Sequence, residues 1–238
     1  MNSRMLAVVI NLDRRVDRWM QISKHLEALN WLDVERVSAV DALLESDFAT
    51  PPFTSAAEGA CWRSHCRALE RGLVTSKPFL ILEDDAEFDL TVPWVQLAPA
   101  LLETMSKTDL DVLQIGYLQA AYPWRNAEKY LEWLLAILQG RMVRTNYGRI
   151  FNSRLIINSF RAGAHAYIVS PAAAEKLQVL NNPAAFAADD LYTYLALNGR
   201  SGAGLRIGRL SRSLVGQASR RKTKTKLDSD IGPVHGGQ

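Results

Sequence analysis

Blocks of apolar residues alternate with amphipathic stretches along the chain, which predicts strands and helices in turn. Short unbroken apolar runs are typical of strands buried on both faces, and they predict strands at 5–12, 34–40, 79–82, 111–117, 163–170 and 205–210. Apolar residues three or four apart are typical of amphipathic helices, which we expect over about 15–29, 55–73, 92–105, 127–141, 171–177 and 191–197. The alternation predicts an α/β fold with a mostly parallel central sheet flanked by helices.

Capping residues support two of these helices. Ser55, with Glu58 three residues later, forms the pattern of a capping box, so a helix should begin just after Ser55. Ser170 precedes Pro171, and proline is favoured at the first position of a helix. Residues 150–158 suit either a strand pair or a loop, and 48–54, which hold two prolines, are expected to form a loop.

The helix predicted over 127–141 is unusually apolar. It carries Tyr130, Leu131, Trp133, Leu134, Leu135, Ile137 and Leu138. Core packing is the default expectation for such a helix. Tryptophan with the flanking bases Lys129, Arg141 and Arg144 also suits a helix that lies at a membrane surface, so both interpretations stay open.

Composition restricts the class of protein. The chain has 238 residues, of which 48% are hydrophobic and 22% charged; this suits one globular domain. The net charge of +3 is too small to indicate nucleic-acid binding. Cys61 and Cys66 point to different sides of one predicted helix, so we expect free thiols and a cytoplasmic protein. No apolar run approaches the roughly 20 residues that span a bilayer.

The candidate chemistry centres on Glu83, Asp84 and Asp85, which directly follow the apolar run 79–82. Burying adjacent like charges without partners is costly, and a hard dication such as Mg²⁺ or Mn²⁺ would remove that cost. Ligands bind at the carboxyl ends of strands in open α/β sheets. The three acids therefore predict a metal site that holds a phosphorylated ligand, with a solvated turn as the alternative.

Other candidates also follow predicted strands or begin helices. Basic residues after the first strand, among them Arg14 and Arg18, suit phosphate binding or a solvated helical turn. Asp41, after the second strand, suits a ribose contact or a plain turn, and His65 on its helix suits a structural role. Asp189 and Asp190 precede the last predicted helix, where they can interact with the helix dipole or supply a general base.

Several short motifs, taken together and in order, resemble glycosyltransferase family 25, the bacterial lipooligosaccharide galactosyltransferases and their collagen-modifying relatives. The matching stretches cover most of residues 6–219: VINLDRRVDR, RVSAVDA, EGACWRSHCRALE, FLILEDDAEF, GAHAYIVSPAAAEKL, and DDL with a downstream LVGQAS. The segment 122–158 has no counterpart in this resemblance. We expect one domain over 1–218, with 122–158 as a variable insertion facing the acceptor or a membrane, and a basic tail over 219–238.

The resemblance implies a GT-A-like nucleotide-diphosphosugar transferase fold and inverting transfer from a UDP-sugar, typically UDP-galactose, to a glycan or glycolipid acceptor. It places Mn²⁺ or Mg²⁺ on Asp85 first, then on Glu83 or Asp84, because EDD is not a strict Asp-x-Asp. The residues that match donor-binding positions are Asn11, Arg14, Arg18, Asp41, Glu58, Ser64 and His65. His165 and Asp190 match the acceptor side, and Asp190, with Asp189 as the alternative, is the candidate base.

Two other functions remain open from the sequence. The departure from Asp-x-Asp also suits a nucleotide-sugar-binding module without catalytic activity. The basic residues at 220–226 and the tryptophan-bearing helix suit a membrane or nucleic-acid adaptor. For the transferase we expect peripheral contact with the inner face of an anionic cytoplasmic membrane and no nucleic-acid partner.

Overall fold

A computed structural model describes residues 4–45, 55–118, 125–143, 145, 153–180, 186–198 and 204–218, with the backbone alone at 125–129. Its strands are β1 Met5–Asn11, β2 Leu32–Ser38, β3 Phe79–Glu83, β4 Ala86–Phe88, β5 Val112–Gly116, β6 Met142–Val143, β7 Leu155–Ile157, β8 Ala166–Val169, β9 Ile207–Leu210 and β10 Val215–Gln217. Its helices are α1 Val16–Leu26, α2 Ala56–Gly72, α3 Trp94–Thr108, α4 Arg125–Leu138, α5 Pro171–Leu180 and α6 Ala188–Asn198.

Within these residues the strands form one sheet of order β2-β1-β3-β8-β5-β9-β7-β6, with β10 joined to β5 and β4. The β1–β2, β1–β3, β5–β9 and β5–β10 pairs are parallel. The β3–β8, β5–β8, β7–β9, β6–β7 and β4–β10 pairs are antiparallel. The prediction of a mostly parallel sheet is therefore wrong, and the sheet is mixed. Apolar runs do not set the direction of a strand: β8 lies between β3 and β5 and runs antiparallel to both, and β4 pairs antiparallel with β10.

Helices cover both faces of the sheet. On one face, α1 and α3 pack against Leu80 and Leu82 of β3. On the other, α2, α5 and α6 pack against Phe79 and Ile81 of the same strand. Because side chains alternate along a strand, odd-numbered residues of β3 face α2 and even-numbered residues face α1. The acids that follow Leu82 continue this alternation, and it determines which side of the sheet each side chain faces.

Most predicted elements are confirmed, with small shifts at their ends. The Ser55–Glu58 capping box forms in both directions, and Ser170 caps α5 through the amide of Ala173. Cys61 and Cys66 are free thiols. Strands β4, β6 and β10 were not predicted, because each has only two or three residues. The predicted loop at 48–54 and the basic tail at 219–238 lie outside the described residues, as do parts of the insertion over 122–158.

Helix α4 forms as predicted, but the expectation that its apolar residues pack in the core is wrong. Tyr130, Leu131, Trp133, Leu134, Leu135, Ile137 and Leu138 are all exposed, while Ala136 is buried. The helix is held instead by Glu132, which binds Arg161, Arg209 and Ser159. Among the described helices, none combines the length and the apolarity that crossing a membrane requires.

Candidate active site

The three acids after β3 do not point the same way. Glu83, at an odd position, turns toward α2, where its Oε1 lies 3.5 Å from Nε2 of His65. Asp84, at an even position, turns toward α1 and pairs with Arg18 at 3.1 Å. Asp85 lies in the turn before β4 and accepts the amide of Ala218 on its backbone carbonyl. The acidic motif therefore faces both sides of the sheet edge.

Asp84 belongs to a polar group at the carboxyl ends of β1 and β2. Asn11 donates to Asp84 Oδ2 at 2.8 Å, and Arg18 donates to its Oδ1. Arg36 in turn donates from Nε to Oδ1 of Asn11 at 2.8 Å. Burial raises the pKa of Asp84, although Asn11 and Arg18 oppose that shift.

Two further ion pairs lie beside this group. Arg14 donates to Asp41 at 2.7 Å, and Arg36 donates to Asp13 at 2.6 Å. The predicted donor-binding residues Asn11, Arg14, Arg18 and Asp41 are thus brought together at the ends of the first two strands.

Arg36 was not named from the sequence, because an arginine in the middle of a strand gives no chemical signal until its register with β1 is known.

Asp84 and Asp85 border the same cavity of about 330 Å³ between α1 and β4, together with Lys24, His25 and Glu87. Carboxylate oxygens from adjacent residues are the ligands that Mg²⁺ and Mn²⁺ prefer. The donor set on this side therefore fits a hard dication. Glu83, which faces the other side, fits it less well than Asp84 does.

On the α2 side, Glu83 ends a buried chain of polar contacts. The hydroxyl of Tyr192 donates to the hydroxyl of Tyr167 at 3.0 Å, which lies 2.9 Å from Nδ1 of His65. His65 is fully buried, and its Nε2 faces Glu83. Burial opposes ionisation of Glu83, but the contact with His65 and nearby positive charge lower its pKa on balance.

Cys61 lies one helical turn before His65 and faces the same acids. Burial raises the pKa of its thiol well above the ordinary value, as do the negative charges of Glu83, Asp189 and Glu58. A thiol in this setting is neutral, which argues against a nucleophilic thiolate. The same charges indicate that acids of the amino-terminal turns of α2 and α6 lie near Cys61.

The two acids at the start of α6 have different surroundings. Asp189 accepts the amide of Gly163 on Oδ2 at 2.9 Å, and Gly163 has a φ of +96° that disfavours other residues. Asp190 is exposed. Partial burial raises its pKa, as do the charges of Asp189 and Glu58. Asp189 therefore holds a loop, while Asp190 has the accessibility and the raised pKa of a general base.

Two of the remaining predicted residues have structural contacts. Ser64 is buried, donates to the carbonyl of Ala60 and accepts the amide of Val40. His165 is buried too, and its Nε2 donates to the carbonyl of Val215 at 3.0 Å. Direct roles for these residues in binding donor or acceptor stay predictions.

Cys61, Tyr167 and Tyr192 were not predicted as site residues. The Cys61–His65 spacing of four residues puts both side chains on one face of a helix. The sequence could therefore have indicated that these two side chains lie together. No local pattern could have indicated the two tyrosines, because they meet His65 only through the pairing of β8 with β3 and the packing of α6.

These features define a class of protein: an α/β fold with one mixed sheet, in which carboxylates and arginines gather at the ends of β1, β2 and β3. The family model for glycosyltransferase family 25, described as an LPS biosynthesis protein, matches residues 5–192. The match covers most of the chain, and the chain belongs to this family. No match was found among curated proteins.

Proposed function

We propose that the chain transfers a hexose, galactose in the first instance, from a UDP-sugar to a hydroxyl of a cell-surface glycan such as lipooligosaccharide, with inversion. Membership of family 25, matched over residues 5–192, supports glycosyl transfer to a lipopolysaccharide-type acceptor. The UDP-sugar donor and the inverting reaction are inferred from one observation, the division of polar groups at the sheet edge. Arginines and Asp84 lie on the α1 side, and Asp190 lies with further acids on the α2 side.

The donor diphosphate is assigned to the α1 side. Arg14 and Arg18 sit where β1 gives way to α1, so their guanidinium groups can exchange Asp41 and Asp84 for phosphate oxygens. Asp85 and Asp84 would hold Mn²⁺ or Mg²⁺. When bound, such an ion neutralises charge on the departing UDP. Asn11 keeps Asp84 in place throughout through its hydrogen bond.

Asp190 is assigned as the base that takes the proton of the acceptor hydroxyl. Inversion requires attack on the anomeric carbon from the face opposite the leaving group, so the C–O bond to UDP breaks as the new one forms. The proton moves to a carboxylate oxygen of Asp190. A raised pKa suits this role, because it brings the acid closer to the operating pH.

The proposal is tested by measuring UDP release from a panel of UDP-sugars, with and without Mn²⁺ and an acceptor glycan. Asp190→Asn should lower kcat by about 10²–10⁴-fold, the usual contribution of a general base, with little change in donor affinity. Asp33→Asn, an exposed acid on β2, is the matched control and should be neutral. UDP binding without turnover for every donor would favour a binding module instead.

Asp85→Ala provides the corresponding test of the metal ligands. We expect the folded variant to lose Mn²⁺-dependent UDP release with every donor. If the wild-type protein keeps full activity in the presence of a chelator, the metal part of the proposal is refuted while the transferase part stands.

A further inference from the structure

Three potential metal ligands meet on the α2 side of β3. The sulfur of Cys61, a ring nitrogen of His65 and a carboxylate oxygen of Glu83 all lie within 4.8 Å of one another. Two come from successive turns of α2, and the third comes from the end of a central strand. The group is therefore built on rigid elements.

The spacing of these atoms suits tetrahedral coordination. Zn²⁺ bonds of about 2.0–2.3 Å place neighbouring ligand atoms roughly 3.4–3.6 Å apart. The distance of 3.5 Å between Nε2 of His65 and Oε1 of Glu83 matches this value, and it is longer than a well-formed hydrogen bond. A small rotation of Cys61 or Glu83, both half-buried, would bring the third atom to the same separation.

The buried histidine gives an independent indication of a ligand. His65 has no exposed surface, and its Nε2 has no hydrogen-bond partner among the described residues. Its Nδ1 is held by the hydroxyl of Tyr167, which in turn contacts Tyr192. Histidines that bind metals are oriented in this way through their second nitrogen.

The donor set differs in kind from that of the proposed diphosphate site. Asp84 and Asp85 offer oxygens alone, whereas this group offers sulfur, nitrogen and oxygen. Thiolate and imidazole ligands favour Zn²⁺ over Mg²⁺ or Mn²⁺. We infer that Cys61, His65 and Glu83 form a second metal site, selective for a thiophilic dication such as Zn²⁺, on the opposite side of the β3 end from Asp84.

Binding at this site exchanges the Cys61 proton for the metal. The S–H bond breaks, the proton passes to the buffer, and the sulfur lone pair forms the bond to Zn²⁺ without any change of oxidation state. Three protein ligands leave one tetrahedral position open to water or substrate. The bound ion would also offset the repulsion between the Cys61 thiolate and the charges of Glu83, Asp189 and Glu58.

The test uses the full chain, stripped with a chelator and titrated with Co²⁺ and then Zn²⁺ in the absence of sugar nucleotide. One equivalent of Co²⁺ should produce a near-ultraviolet thiolate-to-cobalt charge-transfer band and the visible bands of a tetrahedral ion. Added Zn²⁺ should displace the Co²⁺ and abolish both. A wild-type protein without the thiolate band would overturn the inference, whatever the variants do.

Cys61→Ser should abolish the thiolate band and weaken Zn²⁺ binding more than tenfold, as expected for loss of a direct ligand when outer-shell changes alone cost about 10–100-fold. Cys66→Ser is the matched control, since Cys66 is also half-buried on α2 but is five residues away and points elsewhere. It should leave the spectrum unchanged. Equal losses in the two variants would overturn the assignment.

Asp85→Ala separates this inference from the proposed function. It should leave the cobalt spectrum unchanged while Mn²⁺-dependent UDP release is lost. Loss of the thiolate band in Asp85→Ala would show that Asp85 and Cys61 belong to one metal site. This result would overturn the inference of a second site. Conversely, a protein that binds Zn²⁺ through Cys61 but never releases UDP would refute only the transferase proposal.

Discussion

The buried amide of Asn11 connects the ends of three adjacent strands. Its Nδ2 donates to Asp84 and to the carbonyl of Arg15, and its Oδ1 accepts from Arg36. We expect Asn11→Ala to lower the free energy of unfolding by about 2 kcal/mol, because it leaves buried polar groups without partners. This corresponds to a Tm lower by roughly 4–8 °C for a chain of this size.

Thermal and denaturant unfolding check this expectation. Asn30→Ala, at an exposed position before β2, is the matched control and should stay within about 0.5 kcal/mol of the wild type. Equal stability of the two variants would show that the Asn11 network contributes little to the fold.

The raised pKa of Asp190 gives the proposed base a recognisable pH dependence. Only the carboxylate accepts a proton, so kcat should fall as pH drops through a pKa above the ordinary 3.8. The charged groups that raise this pKa are Asp189 on the same helix and Glu58 on α2. Glu58→Gln removes one of these charges, which should move the acid limb of the kcat profile to lower pH.

Glu58→Gln is suitable for this measurement because glutamine also completes a capping box, so α2 should keep its amino-terminal cap. The profile is recorded from UDP release at saturating donor and acceptor. An acid limb at the same pH in Glu58→Gln and wild type would contradict the assignment of that limb to Asp190.

At the scale of elements, α4 is attached to the sheet through charge. Glu132 binds Arg209 of β9, which is 2% exposed, and Arg161 before β8. Both guanidinium groups also lie over the ring of Tyr117, at 5.3 and 5.9 Å. Burial alone would raise the pKa of Glu132, but the two arginines lower it to about 2 from 4.5.

A lowered pKa in the folded protein stabilises it above the unfolded value and ceases to do so as pH falls through the folded value. The Glu132 contribution should therefore be complete above about pH 5 and disappear between pH 4.5 and 2. Its size is about 2–3 kcal/mol after allowance for partial exposure. Denaturant unfolding across this range should show a flatter pH dependence for Glu132→Gln than for wild type.

The control for this experiment is Glu103→Gln, which removes an exposed pair with Lys107 on α3. Exposed pairs contribute at most about 1 kcal/mol, so this variant should follow the wild-type pH dependence. If Glu132→Gln also follows it, Glu132 does not attach α4 by charge.

The order of the elements could be predicted from apolar periodicity, and so could the caps of α2 and α5. The direction of the strands could not, because it depends on whether each connection crosses over the sheet. The opposite orientations of Glu83 and Asp84 could have been predicted from the sequence, since adjacent residues of a strand face opposite sides. The exposure of α4 could not have been predicted, because the sequence of an apolar helix does not show whether another element covers it.

For the whole molecule, the apolar face of α4 suits peripheral contact with an anionic membrane, where a glycolipid acceptor would lie. Trp133 and Tyr130 are aromatic residues of the kind found at membrane interfaces, and the guanidinium of Arg154 lies 5.9 Å from the Trp133 ring centroid. The net charge of +3 favours anionic headgroups. We expect the protein to sediment with vesicles that contain phosphatidylglycerol more than with neutral vesicles.

Leu131→Asp combined with Leu134→Asp should abolish this sedimentation while UDP release with a water-soluble acceptor persists. Val179→Asp, at an exposed apolar residue of α5, is the matched control and should bind vesicles like the wild type. Binding that survives the α4 changes would assign membrane contact to another surface.

We propose that the carboxyl edge of the sheet binds a sugar nucleotide between Asp85 and Asp190. A crystal structure with UDP-galactose and Mn²⁺, determined on the Asp190→Asn variant to prevent turnover, tests it most directly. We expect the diphosphate to lie beside Asp84, Asp85 and Arg18, with the anomeric carbon facing residue 190. A nucleotide bound away from the ends of β1 and β3, or a sugar whose anomeric carbon faces away from residue 190, would contradict it.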